Sequence, residues 1–403
     1  MAREQTAAVT GVAELTARWA RGLDAARDTV FSAAGAWPLL ALLAEAAQGP
    51  ARRELESAVG AQAPDAAAAA RALFAELPGA AGLNAALGLW TARSLPLHDA
   101  WLTTLPEGSH AALTGDAAAD RAALDAWAAR QTEGRIDRMP VDVGPGVPLV
   151  LASALRLTTR WEHPFTGGPA RPVAAGPWAG LPLPLLTRTT PGLGDAAVAD
   201  TRHGPLTLLR VRGDNGIDVH LLLGPPGAGP GEVLGGAVAA LAGRCAVTSA
   251  DALPYGPQAG PGLAKDVIES TRPAPGPLLR VDVPAFRLTA HHDLLRRAEV
   301  FGLAAASDAS RGHFPGISPA PLAVGSAAQA ATAEFGAEGF EAAAVTAFGM
   351  RAGAAAAAPS RVPRVTATLD RPFGFAAVQR ATGLCLVTGW VARPPSGTDR
   401  AED

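Results

Sequence analysis

Apolar residues recur at helical spacing through the first third of the chain. Val12, Leu15, Trp19 and Leu23 fall on one face of a predicted helix. From Trp37 to Ala47 nearly every side is apolar, which predicts a buried helix, and Gly49-Pro50 reads as its stop signal. Shorter helices are expected over 53–59 and 65–77. A longer one is expected over 116–131, with Leu124 and Trp127 three apart on its inner side. The pattern then changes period. Residues 83–93 read as a strand between Gly82 and Ser94-Leu95-Pro96, and 148–157 is so continuously apolar that it predicts a strand buried on both faces. Residues 206–212 and 217–223 flank Gly213-Asp214-Asn215-Gly216, a hairpin signal because Asn-Gly supplies the positive φ angles of a tight turn. A helix over 232–241, a strand over 278–288, a helix over 293–302 and strands over 365–369, 373–378 and 384–391 complete the reading. The Pro/Gly-rich stretches 166–195 and 253–277 are expected to be loops around short strands. Helices dominate early and strands late, with no repeated βα unit and no internal repeat. That order predicts an α+β protein with large, mostly antiparallel sheets. No linker divides the loops, so residues 1–403 are expected to form one domain.

Composition narrows the function classes. Hydrophobic residues make up 48% and charged residues 18%, which excludes a disordered chain. A net charge of −3, with no basic stripe, argues against nucleic-acid or membrane-surface partners. Arg supplies the positive charge almost alone, since Lys265 is the only lysine, and Ala is abundant; both suit a high-GC bacterial genome. Cys245 and Cys385 form neither a metal motif nor a disulfide framework, and Cys385, in an apolar run, is expected to be a buried inert thiol. Residues 1–5 lead into a helical pattern without an apolar signal core, and no apolar run reaches membrane-spanning length. The expectation is therefore a cytoplasmic protein, with export by another route left open.

Enzyme signatures are missing. In Gly227-Ala228-Gly229-Pro230-Gly231 the dinucleotide-loop spacing fails, because Glu232 stands where the third glycine belongs. Neither a Walker loop nor a Gly-x-Ser-x-Gly elbow occurs. His291-His292 lacks a Glu or Cys at ligand spacing and reads as a solvated helix start. No cofactor, no metal and no catalytic residue are expected.

One constellation remains. Glu338-Gly339-Phe340-Glu341-Ala342-Ala343-Ala344-Val345-Thr346-Ala347 is followed by Leu369-Asp370-Arg371-Pro372-Phe373. This resembles the serpin family's hinge, variable reactive loop and C-terminal signature. Thr132-Glu133-Gly134-Arg135-Ile136, Leu155 through Trp161 with Pro164-Phe165, Val283-Pro284-Ala285-Phe286 and Phe314-Pro315-Gly316-Ile317-Ser318 resemble other family segments, in the family's order. The resemblance spans roughly residues 12–394. It implies a serpin fold of three β-sheets and about eight to nine helices, with an exposed reactive-centre loop at about 339–363. It also implies a monomer that traps a serine protease, or a cysteine protease, by loop cleavage and insertion into the main sheet. The alternative is a non-inhibitory binding protein on the same fold.

The hinge chemistry suits insertion. Ala342 to Thr346 contains no Pro, no charge, and only small or β-branched side chains, so it costs little to desolvate as a strand. The family's scissile bond lies fourteen residues past the hinge glycine, here Gly353-Ala354. An inserted strand of that length spans about 46 Å. Small residues there suit elastase-like or subtilisin-like targets; Arg351 is the trypsin-type alternative, with Met350 third and Arg361, counted back from Pro372-Phe373, too far from the hinge. Trp161 matches the family's breach tryptophan. Gly35, Ser153 and Gln329 stand where the family's shutter carries Ser, Asn and His, and Gln329 has the reach to hydrogen-bond Ser153. Two further departures are Phe340, where inhibitory members carry Thr or Ser, and Gly374, in place of an apolar signature residue.

Overall fold

The apolar helix of the first third runs Ala33–Ala46, and only Glu45 of its residues reaches solvent. Ser32 caps it, its Oγ accepting the N–H of Gly35 at 3.0 Å. The computed structural model describes residues 2–77, 82–144, 146–173, 176–270, 276–340 and 360–394. Helices Ala2–Ala20, Gly49–Val59 and Ala63–Glu76 pack around the buried helix. Gly49-Pro50 does not end it: the helix stops at Ala46, and the pair opens the next one. Pro fits that first turn because its missing N–H has no partner there anyway.

Three large sheets and a two-stranded ribbon, Arg171–Pro172 with Pro182–Leu183, make up the β-structure. The first sheet is antiparallel throughout, in the order Thr29–Phe31, Cys385–Val391, Phe373–Gln379, Ile217–Leu223, Gly204–Val211, Ala196–Thr201, Val247–Ser249. Helix Pro230–Leu241 lies against it. The second runs Gly256–Gly260, Leu263–Ser270, Ser360–Thr368, Leu278–Pro284, Leu185–Pro191, Thr166–Gly167. The main sheet runs His110–Leu113, Leu83–Ala92, Leu149–Leu157, Ser326–Phe335, with Phe286–Asp293 on the far side of the last. Eight α-helices occur among the described residues, and the fold is the expected α+β arrangement of three sheets.

Several elements differ from expectation. Residues 278–288 are two strands, not one: Leu278–Pro284 belongs to the second sheet and Phe286–Asp293 to the main sheet. The two-residue alternation of Phe286, Leu288 and Ala290 continues through His291-His292, which therefore lie in a strand and not at a helix start. The helix expected over 293–302 shrinks to the 3-10 turn Leu295–Arg297 and the single turn Ala298–Phe301. The expected loop at 253–277 contains a hairpin, Gly256–Gly260 with Leu263–Ser270. It turns at Gly262, whose φ of 63° suits glycine. The stretch 166–195 likewise contains a full strand, Leu185–Pro191. Cys385 is buried against Thr388, and burial pushes its thiol up to about 11.

Candidate functional site at the top of the main sheet

The two central strands of the main sheet, Leu149–Leu157 and Ser326–Phe335, run parallel, in register from Ser326 opposite Val150 to Ala331 opposite Leu155. Small residues line this seam: Ala327, Ala328, Ala330 and Ala331 on one strand, Ala152, Ser153 and Ala154 on the other. Above Ala331 the strands part. Gly339–Phe340 fills the opening, antiparallel to both neighbours, with Phe340 opposite Phe335 on one side and Thr159 on the other. The chain reverses through residues 336–338, and the N–H of Gly336 donates to the carbonyl of Gly339 at 2.9 Å.

Residues 161–165 grip that reversal. The backbone N–H of Trp161 donates to Glu338 O at 2.9 Å, its indole Nε1 to Gly336 O at 3.0 Å, and the N–H of Phe165 to Ala337 O at 2.8 Å. The rings of Trp161, Phe165 and Phe286 all pack on Phe335, at centroid distances of 4.9, 5.5 and 5.4 Å. An ion-pair network backs the tryptophan. Arg380 Nη2 reaches Asp218 at 2.6 Å, Gly213 O at 2.8 Å and Glu162 at 3.2 Å, and Asp218 holds the guanidinium well above its ordinary pKa.

Lower in the seam lies a closed polar network. Gln329 stands opposite Ser153 and donates from Nε2 to Ser153 Oγ and to Ser32 O, each at 2.9 Å; its Oε1 accepts the N–H of Ser32 at 2.7 Å. Ser32 Oγ donates in turn to Leu386 O at 2.6 Å, tying the main sheet through the buried helix's cap to the antiparallel sheet. Gly35 makes room for this. A Cβ there would stand 2.4 Å from Leu155 Cδ1 and 3.1 Å from Gln329 Nε2. The glutamine and the glycine are thus a matched pair.

Of the residues singled out from sequence, Trp161, Ser153, Gln329, Gly339 and Phe340 come together along this one seam. Glu341, Ala342, Ala343, Ala344, Val345 and Thr346, together with Met350, Arg351, Gly353 and Ala354, lie outside the described residues. At both ends of the span expected as loop, 339–363, the described residues are strand instead: Gly339–Phe340 at one end and Ser360–Thr368 at the other. Arg361 is exposed within that second strand, opposite Glu269. Phe340 is not waiting to enter the sheet. It is fully buried, its ring 5.8 Å from Phe375. Gly374 packs closely under helix Pro230–Leu241, where a Cβ would meet Leu234 Cδ2 at 2.5 Å and push that side chain aside. Sequence reasoning missed Ser32, although a Ser ahead of an apolar helical run is a cap signal. It also missed Phe335, which one sequence does not distinguish from any other apolar strand residue.

The family model for Serpin (serine protease inhibitor) matches residues 12–171 and 261–394, well over half of the chain. The chain belongs to the serpin family. Solved serpin structures share its fold at low sequence identity. Human thyroxine-binding globulin complexed with thyroxine matches at a TM-score of 0.71 and 16% identity, covering 98% of this chain and 99% of that one. Native protease nexin-1 with heparin matches at 0.70 and 15%, over 97% and 99%. The thermophilic serpin Tengpin in its native state matches at 0.73 and 15%, over 96% and 94%. No curated protein matches this serpin's sequence.

Proposed function

We propose that this serpin, folded as one domain, is an irreversible suicide-type inhibitor of a serine protease and not itself an enzyme. The observation that carries the reading is the seat of Gly339–Phe340, antiparallel between two strands that are parallel to each other below it. A strand continuing downward from Phe340 would exchange one ladder, between 326–331 and 150–155, for two, and the alanine-rich seam offers few side chains to obstruct it. In this reading the target's serine attacks the carbonyl of Gly353, forming the acyl-enzyme and freeing the amine of Ala354. Insertion of 341–353 then carries the acylated protease away before water can release it. Small residues about the bond favour elastase-like or subtilisin-like targets, and Arg351 a trypsin-like one.

A second reading rests on a different feature. A largely apolar cavity of about 310 Å³ lies between helices Ala2–Ala20 and Pro230–Leu241 and the antiparallel sheet, lined by Val9, Ala13, Leu234, Leu241 and Thr388 among others. Its size and lining suit a small apolar ligand, and the reading draws support from the neighbour on the same fold that is complexed with thyroxine. The deciding experiment mixes the protein with proteases of the three specificities and follows denaturing gels, intact mass and the melting temperature of the cleaved product. A covalent band with a peptide beginning at Ala354, and a sharp rise in Tm on cleavage, support the inhibitor. Clean cleavage without a band and without a rise in Tm supports the carrier.

A further inference from the structure

Arg188, on the strand Leu185–Pro191, is only 6% exposed. Its Nη1 donates to the carbonyl of His163 at 3.1 Å, and its guanidinium carbon lies 4.7 Å over the ring of Phe165. Its Nε is buried without a partner among the described residues. The carboxylates whose charge reaches it, Asp195 and Glu162, are already held by other guanidiniums: Asp195 by Arg210 and Arg212, Glu162 by Arg380. A buried cation left in this state is costly, and burial brings its pKa down to about 10 although Asp195 and Glu162 pull it up.

The same side chain lines an open pocket of about 800 Å³ between Thr166–Gly167, Leu185–Pro191 and Leu278–Pro284. The other charged side chains of the wall already have partners. Arg280 pairs with Asp282 through two hydrogen bonds of 2.9 and 3.0 Å, and Glu162 pairs with Arg380, which lies outside the lining. Among the described residues Arg188 is the charged group of the wall left without an ion-pair partner, and Thr166 and Thr189 add hydroxyl groups to the lining. We propose that this pocket binds a small oxyanion, a phosphate or carboxylate group, seated against the guanidinium of Arg188. A guanidinium pairs with such a group through charge-assisted hydrogen bonds, and the deep burial of Arg188 strengthens the pairing. The site stands directly behind the hinge, because Phe165, under the guanidinium, holds Ala337 through its backbone N–H.

The test measures unfolding temperature and binding heat in a chloride buffer at constant ionic strength, titrated with inorganic phosphate in one arm and malonate in the other. The expected result is a saturable rise in Tm, with measurable heat, in at least one arm; which arm responds tells a phosphoryl ligand from a carboxylate. Arg188→Met should lose the response. Gly168→Asp keeps Arg188 and adds a carboxylate to the pocket lining, where a Cβ meets nothing within 4 Å, so it tests the site even if Arg188→Met fails to fold. It should weaken the ion's apparent affinity at least tenfold. Absence of a saturable response in both arms, or an equal response in wild type and in every variant that folds, overturns the proposal.

Discussion

The ring of Phe340 lies 5.8 Å, centroid to centroid, from that of Phe375, so the first side chain of the hinge is part of the hydrophobic core that joins the main sheet to the antiparallel sheet. Phe375 is itself seated on Gly389, where an added Cβ would stand 2.4 Å from the phenyl ring. A threonine at 340, the usual residue of inhibitory relatives by the resemblance described above, would leave much of that space empty.

Phe340→Thr should therefore lower the stability of the native state by about 3 kcal/mol, through lost burial and the cavity left behind. The urea midpoint would show the loss, and exchange at the amides of 339 and 340 would quicken as the short strand frays. An unchanged midpoint would mean that the ring contributes nothing to holding the hinge.

Gly35 and Gln329 should behave as a coupled pair. Gly35→Ser alone forces a Cβ onto Leu155 and the glutamine amide, and an overpacked core site costs about 1–3 kcal/mol. Gln329→His should also destabilise, by leaving polar groups of Ser32 unpaired. A double-mutant cycle should give an interaction energy clearly different from zero, because a Cβ at 35 would stand against the side chain at 329. Simple additivity would contradict the matched-pair account.

Acid should weaken the fold through its buried histidines. Burial brings His220, facing Arg210 across the strands and flanked by Asp218, down to about 4, and it also lowers His110 and His292. Well above the ordinary histidine pKa of about 6.5 these rings are neutral in both folded and unfolded chains, so stability there is at its full value. As pH falls from 6.5 toward 4 the unfolded chain takes up protons that the folded chain refuses, and stability is lost. His220 alone accounts for at most about 3 kcal/mol of that loss. Unfolding midpoints measured from pH 7.5 to 4.5 should fall steadily, and His220→Gln should flatten the slope.

Lys265, the single lysine, is a structural cation. Its Nζ donates to the carbonyls of Ala250, Asp251 and Leu253 at 3.1, 2.7 and 2.9 Å and lies 4.9 Å from the centre of the Tyr255 ring. An amine-acylating reagent should modify Lys265 only as fast as the hairpin opens. Lys265→Met should cost about 2–4 kcal/mol, because three carbonyls lose their donor. Rapid acylation of native Lys265 would show that the cage is open in solution.

The amphipathic helix at the start, the buried helix after Ser32, the continuous apolar strand 149–157 and the Asn215-Gly216 turn were all legible in the sequence, because each is set by local periodicity or turn chemistry. Ordered motifs such as Gly339 and Pro372-Phe373 likewise carried the family. Other features depend on residues far apart in the chain. The division of 278–288 between two sheets, and the hairpin hidden among prolines and glycines at 256–270, arise from pairing with strands around 185–191, 326–335 and 360–368. The seating of Phe340 required Phe335, Thr159 and Phe375 to meet, and the fit of Gln329 required Gly35 to lack a side chain. Local pattern reports the conformation each segment prefers. Which segments become neighbours, and so which polar atoms and rings are satisfied, was decided only when the sheets closed on one another.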